Sequence, residues 1–226
     1  MDKRYQYVSL INMLPKVEAL FQSSLPPLSR IRLDTLLKNL DEQDAKDIAI
    51  LVSTIEWFNQ KLDYSDEAFI GTVKKQLDKV ANENIQEWIR WRLSFRTLIV
   101  ALRLKKEKRS FLRSGFCHYE SLIERHWHEP AFGLEKQLPW LAEAEHLLDN
   151  ENALQLEKLI LNQVWQWLEK ISLGHEFDLE AVAIYRMRWD LVNRWTSYKE
   201  EEAAPRLTQL LENATQKLDM QLDWSI

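Results

Sequence analysis

Glycine is the residue this chain almost does without, with four in 226 positions where an average protein carries about 7%. Glycine is the default wherever the backbone must adopt positive φ, at tight hairpin turns and at loops that cradle phosphates. A chain with so few is poorly equipped for a many-stranded β fold or a glycine-lined nucleotide site. Helical architectures need far fewer such positions. Hydrophobic residues at 46% and charged residues at 29% lie near the globular norm, so a packed core is expected rather than disorder. The expected fold class is all-α. We read residues 1–226 as one elongated helical bundle, with a division into two lobes placed near residues 113–117.

Hydrophobic spacing supports that class. Ile48, Leu51, Val52, Ile55 and Phe58 recur three and four apart and predict a helix over 44–60. Ile85, Trp88, Ile89, Phe95, Leu98, Ile99 and Leu102 trace a longer stripe, predicting a helix over 84–112 that stops at Ser114-Gly115. A third stripe runs from Leu156 to Ile171 and closes at Gly174. Asp178 reads as the N-cap of a further helix to about Tyr198, with Phe177 and Val182 placed as a hydrophobic staple. Pro205 suits the first turn of a last helix. Segments 29–40 and 65–81 read as helices too. Tyr5 to Leu14 is locally β-favourable and is left open between strand and helix. The region 115–139, with His118, His126, Trp127, His128, Pro130 and Pro139, is the least periodic.

The single Cys117 precludes an intramolecular disulfide and fits a reducing compartment. The N-terminal residues lack a signal-peptide core, and no window approaches the roughly 18 apolar residues of a bilayer span. A cytoplasmic location is expected, with membranes reached only through protein partners.

Three constellations could carry function. The first is basic: Arg90, Arg92, Arg96, Arg103, Lys105, Lys106, Lys108, Arg109 and Arg113 face only Glu87 and Glu107, so residues 85–116 carry +7 and the remainder −12. Such a helix suits an acidic protein surface or a phosphate backbone, unless acidic helices of the same domain neutralise it. The overall acidic balance makes nucleic acid the weaker choice. The second is Cys117, His118, His126, His128 and His146, whose spacing matches no compact zinc module. Glu143-x-x-His146 lacks the second such element that a di-iron bundle needs. The third is tryptophan, ten in all. Trp88 with Trp91, and Trp165 with Trp167, cannot both face one core centre, so one member of each pair is available to a second interface. Phosphate-loop, dinucleotide-binding, zincin and serine-hydrolase motifs are absent. We therefore expect no catalytic residue, cofactor or metal.

With these residues in view, the chain resembles a family of bacterial proteins associated with V/A-type rotary ATPases, regarded as counterparts of the C-type component of the central stalk (d-type in eukaryotes). The matching stretches are Tyr5-Gln-Tyr-Val-Ser-Leu, Pro26-Pro27-Leu-Ser-Arg-Ile-Arg-Leu33, Arg92 to Arg103, His126-Trp-His-Glu-Pro-Ala-Phe132, Leu138-Pro-Trp-Leu141, Phe177 to Arg186 and Asp190 to Trp195. The resemblance implies a non-enzymatic coupling or assembly subunit that links the central axle to the membrane rotor ring. In that reading Arg90, Arg92, Arg96, Arg103, Lys105, Lys106, Arg109 and Trp91 form a partner-binding face, since guanidinium groups stay charged and pair bidentately with carboxylates. The rival function is a nucleic-acid-binding protein that uses the basic helix 85–113 and exposed tryptophan.

Overall fold

A computed structural model describes residues 3–55 and 66–197. Every regular element among them is helical. The elements are α1 (Lys3–Met13), α2 (Arg30–Leu37), α3 (Glu42–Ile55), α4 (Asp66–Leu77), α5 (Glu83–Lys106), α6 (Glu120–Arg125), a 3₁₀ turn (Pro130–Gly133), α7 (Pro139–Asp149), α8 (Ala153–Ile171) and α9 (residues 179–197). The helix expected from Pro205 and the end of the one expected over 44–60 lie outside the described residues.

Segment 5–14 resolves to a helix, against its local β preference. Tyr7 and Leu10 fall on one face and are buried, and the Tyr7 hydroxyl donates to the carboxylate of Asp44 on α3. Tertiary packing overrides intrinsic propensity here. Ser29 caps α2, accepting from the Arg32 N–H at 3.4 Å. Asp178 caps α9 as its sequence position predicts, accepting from Ala181 N–H at 2.8 Å. Phe177, placed beside it as a staple, stays 42% exposed.

Helix α5 lies at the centre. Twelve of its 24 residues are buried, on more than one face, as befits a helix with neighbours on several sides. It packs against α3 and α7, stacks Trp91 on Trp167 of α8, and receives Glu180 of α9 on the amides of Asn82 and Asn84. Its N-terminus is doubly held. Asn82 caps it through Ile85 N–H, and the buried Asp47 of α3 accepts from the N–H groups of Ala81 and Asn82.

The end of α5 corrects the sequence reading. The helix stops at Lys106, well before Ser114-Gly115. Lys108 takes φ 55°, its N–H bonds the Lys105 carbonyl at 3.1 Å, and the Arg109 N–H bonds the Leu104 carbonyl at 2.9 Å. This is a Schellman closure with lysine in the left-handed position normally given to glycine. Glu151 closes α7 the same way at φ 56°, with Glu151 N–H on Leu148 and Asn152 N–H on Leu147. A chain poor in glycine ends helices with strained residues instead. Lys108→Gly should therefore raise stability by about 1 kcal/mol, the left-handed penalty less the entropy of glycine. Thermal melting tests this, with a rise of roughly 2–4 °C expected at this size; an unchanged or lower midpoint counts against it.

Candidate functional site

The basic residues of α5 separate into an interior set and an exterior set, because a helix 24 residues long turns some of any charge run inward. Arg92 is 5% exposed. Burial first, then the neighbouring Arg194, bring its guanidinium down to about 9, so it remains protonated at neutral pH. It feels Arg194, Glu157, Arg96 and Asp190, and its guanidinium lies 5.6 Å from the Phe95 ring. Arg194 of α9 forks onto Glu157 of α8, with Nη2 to Oε2 at 2.8 Å and Nε to Oε1. Arg186, 1% exposed, bonds Asp190 and lies 5.0 Å over Trp189. These groups form a charged layer joining α5, α8 and α9, in the sense that each guanidinium is held near a carboxylate or an aromatic face. Arg92 thus belongs to the interior and cannot present its fork to a partner. Arg96 is half-buried beside it.

Trp91 is also committed inward. Its ring stacks on Trp167 at 3.9 Å and 3° and on Phe95 at 5.6 Å. Trp88 meets Trp167 edge-on at 6.4 Å, and Phe95 meets Trp140 of α7 at 4.8 Å. A column of rings therefore crosses from α8 through α5 to α7. The tryptophans of this column are packed on one another rather than spread as a platform.

Near the end of α5 the basic side chains come to the surface, with Arg103 and Lys106 exposed. Lys105 is the transition: its Nζ donates to Glu145 Oε1 at 2.7 Å and to the Glu129 carbonyl at 2.5 Å, and it lies 5.1 Å over the Phe132 ring. Glu145 also accepts from the Ala131 N–H at 2.6 Å. Ala131, Phe132 and Gly133 all have positive φ, at 42°, 57° and 68°. Three left-handed residues in succession, two of them non-glycine, persist because Glu145 and the buried Phe132 hold them. Lys106 Nζ donates to the last-turn carbonyl of Leu148 at 2.6 Å, adding a second donor to the one from Glu151 N–H.

Beyond these, Arg90, Arg103, Lys108, Arg109, Arg113 and Arg125 are exposed. Arg109 pairs with Glu107 at 3.1 Å and Arg113 with Glu124, while Arg103 and Lys108 have no carboxylate partner among the described residues. The result is a cationic stretch running from Arg103 in the last turn of α5 to Arg113 in the segment that follows it. It faces away from the helix start, where Asp44 and Asp47 are buried and Glu180 sits on Asn82 and Asn84.

The Cys/His set of the sequence does not converge among the described residues. Cys117 is buried, and burial raises its thiol pKa despite bonds to Ser94 and the Tyr119 backbone. His126 pairs with Glu129 at 2.8 Å, His146 meets Asn150, and His118 and His128 are exposed. What sequence reasoning missed is the acidic side of the interior layer, Glu157 and Asp190, and the group His175, Asp178 and Glu180. The first left a signal: Arg92 stands where the stripe Trp88, Phe95, Ile99 requires an inward residue.

The sequence profile of a family described as a protein of unknown function (DUF2764) matches residues 73–216, and the chain belongs to that family. The match begins within α4 and takes in α5 to α9, hence both the charged layer and the cationic stretch. No curated protein and no solved structure matches the chain.

Proposed function

We propose that this member of the family is a non-enzymatic coupling or assembly subunit of a V/A-type rotary ATPase, similar to the C-type component of the central stalk, linking the central axle to the membrane rotor ring. The all-helical fold is in keeping with that role. So is the finding that no described helix is long and apolar enough to cross a membrane, since such a component reaches the membrane through its partners on the cytoplasmic side. The observation that carries the reading is the cationic stretch from Arg103 at the end of α5 to Arg113 just beyond it, on a chain whose net charge is −5. Its arginines suit a carboxylate-bearing protein surface.

Affinity purification of the tagged protein from gently solubilised native membranes tests the role, with rotor-ring and axle subunits expected in stoichiometric yield. Their absence under conditions that keep the ATPase intact sinks the reading. The double variant Arg103→Glu/Arg109→Glu should lower that recovery by roughly tenfold or more, since opposed charges at a docking face cost several kcal/mol. Its circular dichroism and melting temperature should match wild type, because both side chains are exposed. Unchanged recovery removes the cationic stretch from the interface.

A further inference from the structure

We propose that His175, Asp178 and Glu180 bind a divalent transition-metal cation, zinc foremost, where the start of α9 meets the start of α5. One ligand atom from each lies within 4.8 Å of the other two, and all three residues are half-buried. His175 Nδ1 stands 2.8 Å from Asp178 Oδ2. Four-coordinate zinc with bonds of about 2.0–2.2 Å sets its ligands about 3.4 Å apart, so side-chain rotations of about an ångström close the triangle. The cation takes the place of the proton between Nδ1 and Oδ2, with that proton released to solvent.

The outer contacts are those of a metal centre. Asp178 is steadied through its other oxygen, Oδ1, by the Ala181 N–H at 2.8 Å. Glu180 is steadied through Oε1 by the Asn82 and Asn84 amides, each at 2.9 Å, which leaves Oε2 without a side-chain donor among the described residues. The imidazole is set edge-on against Trp88 at 6.0 Å. The bonds to Asp178 Oδ1 and Glu180 Oε1 orient those two carboxylates. One imidazole nitrogen with two carboxylate oxygens favours zinc over magnesium or calcium, whose preference is for oxygen alone. Three protein ligands leave the fourth position to water. This group is separate from the cationic stretch and includes none of the Cys/His set noted in the sequence.

The test is calorimetric titration of chelator-treated full-length protein with zinc chloride, beside His175→Gln and Glu180→Gln. Saturable binding of one zinc per chain is expected, with a rise in melting temperature. Each variant should weaken that binding roughly 10–100-fold while keeping the wild-type circular dichroism. Absence of saturable binding in wild type overturns the proposal. So does binding that both folded variants retain, which would place the ion at His126, His128 or His146.

Discussion

Arg92→Glu is expected to cost about 5 kcal/mol, enough to unfold much of the population of a protein whose total stability is about 5–15 kcal/mol. The new carboxylate would sit 5% exposed, at the site of a residue that now feels Glu157 and Asp190. An attractive arrangement becomes a repulsive one with little water to screen it. Arg92→Met should be milder, because Glu157 keeps its fork with Arg194 and Asp190 keeps Arg186. Far-UV circular dichroism with urea unfolding measures both. A folded Arg92→Glu protein with the wild-type midpoint would mean that Arg92 faces solvent after all. The contrast with Arg103→Glu/Arg109→Glu separates interior charge from exposed charge.

Glu120→Ala is expected to cost about 3 kcal/mol through a different mechanism, the stranding of backbone donors. Glu120 opens α6 and is 6% exposed. Its carboxylate accepts from the Ser114 N–H at 2.9 Å, the Ser114 hydroxyl at 2.6 Å and the Gly115 N–H at 2.9 Å. Ser114 Oγ in turn lies 2.9 Å from Thr97 Oγ1 on α5 and accepts from the Phe116 N–H at 3.2 Å. Removing the carboxylate loosens the whole link between α5 and α6. Glu120→Gln keeps an acceptor oxygen but loses the charge, so about half the loss should return. Urea denaturation curves for the pair decide it, and a Glu120→Ala midpoint equal to wild type would show that water replaces the carboxylate.

The helical class was legible in the sequence because it rests on period and on scarce glycine, both one-dimensional. The stripes Ile85 to Leu102 and Leu156 to Ile171 were legible for the same reason, as was Asp178 as a cap. The end of α5 was not. Lysine and glutamate in left-handed closures carry no signature, since what selects them is the geometry of Lys108 and Glu151 against the carbonyls of Lys105 and Leu148. The cationic stretch was legible as a charge run but not as a surface. Arg92 and Arg103 stand eleven residues, about three turns, apart on nearly the same side of α5, and position along the axis separates them: Arg92 lies beside Arg194 and Glu157 of the neighbouring helices, whereas Arg103 is exposed. His175, Asp178 and Glu180 were close in sequence, yet their tie to Asn82 and Asn84 spans nearly a hundred residues, which no local pattern encodes.

Helix α5 is about 36 Å long at 1.5 Å per residue, and it is fastened at both ends. Asp47 grips the backbone amides of Ala81 and Asn82 just ahead of the first turn, and Glu145 grips Lys105 in the last. A rod clamped at each tip has little freedom to hinge against its neighbours. A displacement of either tip would therefore have to move α3 or α7 with it, so α5 is the stiff member against which those helices are set.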